Sequence, residues 1–183
     1  MTLEQRLPEM QETEKQAHHY LRDATSVPSA PPLINHSLRF RLWHYPAFDA
    51  YRSWSIFELR RSNEPASLLV RQVTWDRPHD CQRLRVDPLL GLQEGFHTDP
   101  KIEIRDRPLN ASDLAERLAA AQSVSVPIVG RDSGICLDGA RFGYEERDGS
   151  PRLQWCCDGP PEWREFTTWA REMMKWLHEA SVS

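Results

Sequence analysis

Residues 134–179 of the chain read GICLDGARFGYEERDGSPRLQWCCDGPPEWREFTTWAREMMKWLHE. The second half of this stretch predicts an amphipathic α-helix, because at about 100° per residue its large apolar side chains fall on one half of the circumference. Two consecutive prolines suit the entrance, where first-turn N–H groups have no intrahelical partner. The apolar half consists of Trp163, Phe166, Trp169, Ala170, Met173, Met174, Trp176 and Leu177. Such a face must be buried against another element.

A β-hairpin is predicted immediately before this helix. The dipeptides at 138–139 and 148–149 are both Asp-Gly, a pair that tolerates the positive φ angles of tight hairpin turns. Between them, Phe142 and Tyr144 alternate with charged residues, which is the two-residue period of a half-buried strand. After the second turn, Trp155 continues the apolar face. We expect this hairpin to pack against the C-terminal helix.

Length and composition limit the class of protein. A chain of 183 residues with 39% hydrophobic and 27% charged residues fits one ordinary soluble domain. No apolar run approaches the roughly 18 residues of a membrane span, and a net charge of −4 gives no general attraction to nucleic acid or anionic membranes. The first residues lack a basic segment followed by an apolar one, and the cysteines form no regular framework. We therefore expect a cytoplasmic location.

The N-terminal part divides into a helix and a linker. Residues 9–24 form a mostly polar helical pattern that we expect to pack loosely. Residues 25–37 are rich in proline and serine and indicate an extended linker. The predicted organisation is therefore an N-terminal helix and linker over residues 1–37, followed by a single α+β domain over residues 38–183.

The central part alternates apolar and polar residues in consecutive segments without intervening helices, which favours an antiparallel sheet. The predicted strands lie at 38–45, 52–61, 67–75, 82–86 and 101–105. A second short helix is predicted near 111–121, with Asn110 as its N-cap. The fold class is therefore α+β: an antiparallel β-sheet packed on one face by the amphipathic C-terminal helix.

No motif specifies a reaction. The local cluster His79-Asp80-Cys81 lacks the second pair of ligands that a zinc site requires, and a polar loop explains it equally well. The chain contains no G-x-S-x-G elbow, no P-loop and no dinucleotide fingerprint. We therefore assign no catalytic residue, no metal ligand and no cofactor. A small enzyme whose site is assembled from distant residues stays open as an alternative.

Aromatic and arginine side chains cluster around the end of the first predicted strand. Aromatic residues with nearby arginines are enriched at protein-binding hot spots, although aromatic residues also build cores. Arginines recur along the strands as well, which indicates either a basic face for an acidic partner or a mixed solvated face. The candidate partner-binding residues are Trp43, Tyr45, Phe48, Tyr51, Arg39 and Arg41.

The C-terminal motifs resemble those of a broad group of small uncharacterised bacterial α+β proteins, some of which look like immunity proteins. The residues that carry the resemblance are Leu137, Asp138, Gly139, Tyr144, Trp155, Pro161 and Trp163. Immunity proteins bind and neutralise a partner protein, so the resemblance implies protein binding without catalytic residues. We expect a non-enzymatic protein-binding domain. The alternatives are an enzyme with an unrecognised site and a structural or homodimeric subunit.

Overall fold

A computed structural model of the chain describes residues 3–60, 62, 65–86, 99–122, 124, 126, 139–147, 149 and 151–182. Four α-helices and six strands lie in this part of the chain. In chain order they are α1 (Leu3–Arg22), β1 (His36–Tyr45), β2 (Tyr51–Leu59), β3 (Ser67–Trp75), α2 (Arg77–Val86), β4 (Ile102–Leu109), α3 (Ala111–Gln122), β5 (Arg141–Glu146), β6 (Arg152–Cys156) and α4 (Arg164–Val182). A short 3-10 turn, Pro161–Trp163, leads into α4.

The six strands form one antiparallel sheet in the order β4-β3-β2-β1-β5-β6. This architecture confirms the predicted α+β class. The β5–β6 hairpin is also confirmed, and Gly149 takes a positive φ of 81° in its turn. The turn predicted at 138–139 lies partly outside the described residues.

The strand predicted at 82–86 is wrong, because this segment belongs to α2. Alternation of arginine with apolar residues suggested a strand, but the signals that begin a helix lie just upstream. The Asp76 carboxylate accepts a hydrogen bond from the backbone N–H of His79 at 3.2 Å, and Pro78 occupies the first turn. The cap and the proline therefore outweigh a five-residue alternation.

One face of the sheet is covered by α4, with α3 beside it. The apolar side of α4 is buried here as predicted, and Trp169 donates from its indole N–H to the backbone carbonyl of Arg117 in α3 at 2.9 Å. The buried side chains of this layer are Phe40, Leu42, Trp54, Ile56, Leu68, Val70, Leu114, Phe142, Trp155, Trp163, Phe166, Ala170, Met173, Met174 and Leu177. The tryptophan-rich end of the chain is thus part of the core.

The opposite face of the sheet is covered by α1 and the segment that follows it. Ala17 and Leu21 are fully buried, and so are Ala24 and Val27 beyond the end of the helix. The loose packing that we expected for α1 is therefore wrong, because a narrow stripe of small apolar residues is enough to seat it on the sheet. The division of the chain at residue 38 stays a prediction.

Two buried arginines of the sheet hold this N-terminal segment. Arg41 donates to the Glu145 carboxylate at 2.8 Å and to the backbone carbonyl of Arg22 at the end of α1. Arg71 donates to Asp106 at 2.6 Å and 2.7 Å, and to backbone carbonyls of the segment after α1. These two arginines therefore anchor the segment to the sheet and do not contribute to an exposed basic face.

The inner side of α1 also places a histidine among aromatic rings. The ring of His18 lies 5.4 Å from that of Tyr45, 5.7 Å from that of Tyr51 and 5.9 Å from that of Trp75, between ring centroids. This environment favours the neutral imidazole, because aromatic surroundings replace water around the charged form.

Burial is the main reason why the pKa of His18 lies below its ordinary value of 6.5. Glu14 opposes this shift, while Arg141 and Arg77 add to it. Since the unfolded chain binds this proton more readily than the folded one, the stability contribution is lost as the pH falls below about 6.5. We expect the urea concentration at the unfolding midpoint to be lower at about pH 5.5 than at about pH 8. The decrease should be smaller for His18→Phe, which lacks the titrating group. His19→Phe, at an exposed position of the same helix, is the control for replacing a histidine of α1 by phenylalanine, and an equal change of pH dependence in both variants would contradict the role of His18.

Candidate functional site

The six residues predicted to contact a partner do not share one surface. Three of them, Arg41, Trp43 and Tyr51, are buried on the α1 side of the sheet. Tyr45 is half-buried and stacks on Tyr51 with 4.8 Å between ring centroids, and burial raises its pKa to about 12. Tyr51 belongs to the apolar core under α1, Arg41 binds the end of α1, and Trp43 is buried against Gly143.

The other two predicted residues, Arg39 and Phe48, are exposed and lie apart along the chain. Arg39 lies at an irregularity in the β1–β2 register between Leu38 and Phe40. Phe48 is at the tip of the β1–β2 connection and is 80% exposed. Among the described residues, the other large hydrophobic side chain with comparable exposure is Ile34, at 76%. Phe48 is therefore the aromatic member of the predicted set that a partner can reach.

A groove of about 260 Å³ opens between the sheet and α4, on the face opposite α1. We call it the basic groove, because the charged and titratable groups that line it are histidine, arginine and lysine. Its lining residues are His44, Arg52, Trp54, Phe142, Arg171, Met174, Lys175 and His178. This site was not predicted from the sequence.

The sheet side of the groove follows from strand register. His44 in β1 lies directly opposite Arg52 in β2 and opposite Phe142 in β5. The imidazole of His44 stacks almost parallel on Phe142, with 4.5 Å between ring centroids. The indole of Trp54 forms the floor and donates its N–H to Gln72 at 3.1 Å.

The helix side of the groove comes from one line of residues on α4. Arg171, Lys175 and His178 are spaced by four and three residues, so they fall above one another on the helix surface. This spacing was visible in the sequence, where these residues border the apolar face. The strand residues that complete the groove could not be placed without the register of the sheet.

The cations that line the groove are incompletely neutralised. Arg52 lies 3.7 Å from the Asp49 carboxylate, and Arg171 lies 2.7 Å from that of Asp158. Within the described part of the chain, no ion pair is formed by Lys175. Lys175 is therefore the lining cation that has no ion-pair partner among the described residues.

The titration of His44 reflects this environment. Its pKa lies below the ordinary value of 6.5, first because the ring is partly buried and next because Arg52 is close. Asp49 opposes this effect and Arg171 adds to it. Two nearby arginines thus make protonation of His44 less favourable, which indicates a positive potential inside the groove.

The cluster at residues 79–81 has a structural role. The buried Asp80 carboxylate accepts the indole N–H of Trp75 at 2.8 Å and the backbone N–H of Lys101 at 2.8 Å. Arg83 also donates to it, at 3.2 Å. Asp80 therefore joins the start of α2 to the ends of β3 and β4. Across the residues that the structure describes, no group of three or more histidine, cysteine or acidic side chains has the arrangement of a metal site.

Comparison with protein-family models, with curated protein sequences and with solved structures finds no match to this chain. No helix within the described ranges combines the length and the apolar character that crossing a membrane requires. Phe48 and the basic groove are therefore the features of the described chain that bear on its function.

Proposed function

We propose that the chain is a non-enzymatic protein-binding domain of the immunity type, which contacts its partner through Phe48 and the basic groove. The observation that carries this proposal is an aromatic side chain, 80% exposed, on the loop that ends beside the groove. Exposing a phenylalanine to water is unfavourable, and aromatic residues next to arginines are typical of interface hot spots. Asp49 follows Phe48 directly and lies 3.7 Å from Arg52, so the loop and the groove form one continuous surface.

The lining of the groove favours a protein partner over a small substrate. Sites for drug-sized ligands and cofactors have volumes of about 300–1,000 Å³. A groove of about 260 Å³ is close to the lower end of that range and has room for one or two side chains of a partner. Its described lining offers positively charged and aromatic groups, which are binding groups, and holds neither a carboxylate nor a hydroxyl or thiol nucleophile.

The test uses the products of genes adjacent to the gene for this chain, since an immunity protein neutralises a cognate partner. Each product is titrated against the protein by calorimetry, and growth of cells that express the partner is measured with and without the chain. We expect one product to bind and its toxicity to be relieved. Absence of binding by every neighbouring product would contradict the immunity-type role.

Phe48→Ser is expected to weaken binding of that partner by about tenfold or more, because truncation of an aromatic anchor removes most of its buried contact. Ile34→Ser is the matched control, since it removes a similarly exposed apolar side chain elsewhere on the chain and should leave the dissociation constant unchanged. Equal effects of the two substitutions would show that Phe48 is not the anchor.

Light scattering tests the alternative that the chain forms a dimer. If the chain is a dimer and Phe48→Ser dissociates it, the surface around Phe48 serves self-association.

A further inference from the structure

The basic groove has an arrangement of donors that suits an anion. Arg171, Lys175 and His178 line one side from α4, while His44 and Arg52 line the other side from adjacent strands. Arginine and lysine present only hydrogen-bond donors, and they form their strongest hydrogen bonds with charged oxygen atoms. A carboxylate between the two sides would meet donors from both.

The charge of the groove matches a single negative group. The two carboxylates that pair with its arginines are on exposed side chains, at 67% for Asp49 and 93% for Asp158. Exposed pairs of this kind contribute little stability, so an incoming carboxylate can share their arginines at small cost. Lys175, the lining cation without an ion-pair partner among the described residues, matches one carboxylate better than a polyphosphate or a nucleic-acid backbone.

The floor of the groove is apolar and aromatic. Trp54, Phe142 and Met174 lie between the two sides of cationic groups. These side chains are 2%, 9% and 5% exposed, so an apolar side chain beside the carboxylate would contact the small apolar edges that reach the groove. The volume of about 260 Å³ has room for such a pair of side chains.

We infer that the basic groove is the receptor for an acidic side chain of the partner protein, aspartate or glutamate, presented next to an aromatic or large aliphatic side chain. This inference rests on the proposed function, since it specifies the partner chemistry for the same surface. The carboxylate lies between Lys175 and Arg52, the apolar side chain contacts the exposed edges of Trp54 and Phe142, and Phe48 contacts the partner outside the groove.

A capped tetrapeptide with Phe-Glu at its centre tests this assignment without the natural partner. It is titrated into the full chain by NMR, with the ring signals of His44 and Trp54 as reporters. We expect saturable shifts of both signals and binding about tenfold weaker for the matched Phe-Gln peptide, because the neutral amide lacks the carboxylate charge that the cations of the groove attract. Equal affinities for the two peptides, or no saturable shifts at either reporter, would overturn the assignment.

Two variants of α4 separate the groove from general electrostatic attraction. Lys175→Gln should weaken binding of the Phe-Glu peptide about fivefold and leave binding of the Phe-Gln peptide unchanged. Arg164→Gln removes the same charge from an exposed position of the same helix and should leave both affinities unchanged. Equal weakening by both variants would overturn the inference.

The protonation of His44 gives an independent readout. A carboxylate bound nearby stabilises the imidazolium form, so the pKa of His44 should rise when the Phe-Glu peptide saturates the groove.

Titration of hydrocinnamate distinguishes a protein side chain from a small carboxylic acid. If this free acid binds as tightly as the peptide, the groove binds a small carboxylic acid and the assignment to a side chain of a partner protein is overturned. Expected peptide binding together with failure of every neighbouring gene product would refute the proposed function alone. Partner binding that depends on Phe48 but not on Lys175 would refute this inference alone.

Discussion

Arg71→Met is expected to lower the free energy of unfolding by about 3 kcal/mol, the lower end of the range for breaking a buried ion pair by removing one partner. The Arg71 side chain is 1% exposed, and the Asp106 carboxylate that it binds is 21% exposed. Because water reaches the Asp106 carboxylate in part, we expect the loss of stability to lie at the lower end of that range. The substitution also leaves the backbone carbonyls of Ala24 and Pro31 without the donor that Arg71 provides.

The same substitution should release the segment after α1. Urea unfolding followed by tryptophan fluorescence measures the stability change, and limited trypsin digestion measures how fast the chain is cleaved near Arg22. We expect faster cleavage there in Arg71→Met. Arg105→Met is the control, because its ion pair with Glu103 is a surface pair worth less than about 1 kcal/mol. If the two variants unfold at the same urea concentration, the anchoring role assigned to Arg71 is wrong.

The elements that could be predicted from the sequence are those whose signals are local. The turn at 148–149, the apolar face of α4 and the cap at Asn110 each lie within a few residues of the structure that they specify. In the folded chain, the Asn110 side chain accepts the backbone N–H of Ser112 at 2.9 Å, and Leu114 is buried as the first apolar residue of α3. Local periodicity and capping chemistry are therefore sufficient for these parts.

The packing of the N-terminal segment could not be predicted in this way. Its polar composition suggested loose contact, because the groups that hold it come from distant parts of the sequence. Arg41 bonds to Glu145, which is 104 residues away, and Arg71 bonds to Asp106, which is 35 residues away. A recurring arginine in a strand carries no local sign of whether it faces water or a buried carboxylate.

The candidate site was predictable only in part, for the same reason. Phe48 stood out as an aromatic residue in a loop, and its exposure agrees with a contact role. Trp43 and Tyr51 had the same residue chemistry, but both are buried, Tyr51 in the core under α1 and Trp43 against Gly143. The basic groove combines three strands with α4, so its existence depends on register and helix docking, which are properties of the whole fold.

Gly143→Ala is expected to destabilise the chain by about 3 kcal/mol or more, at the upper end for overpacking a core. Gly143 in β5 lies directly opposite Trp43 in β1, and the six-membered ring of the indole occupies the space where a Cβ atom would lie. A Cβ atom at Gly143 would be 1.9 Å from Cζ2 of Trp43. The guanidinium groups of Arg41 and Arg152 lie 5.0 Å and 5.5 Å from the indole centroid, so the ring has little freedom to move away. The glycine in this strand interior is therefore required by the close approach of the tryptophan.

Gly149→Ala separates this steric effect from the ordinary cost of replacing a glycine. Gly149 has a φ of 81° and open space where a Cβ would lie, so alanine there should cost about 1 kcal/mol from backbone strain alone. Urea unfolding is measured for both glycine variants, for Trp43→Leu and for the double variant that combines Gly143→Ala with Trp43→Leu. If the clash is the cause, the double variant should lose less stability than the sum of its two single substitutions, because leucine removes the ring that the new methyl group meets. Additive losses, or equal losses for the two glycine variants, would contradict the packing of Trp43 over Gly143.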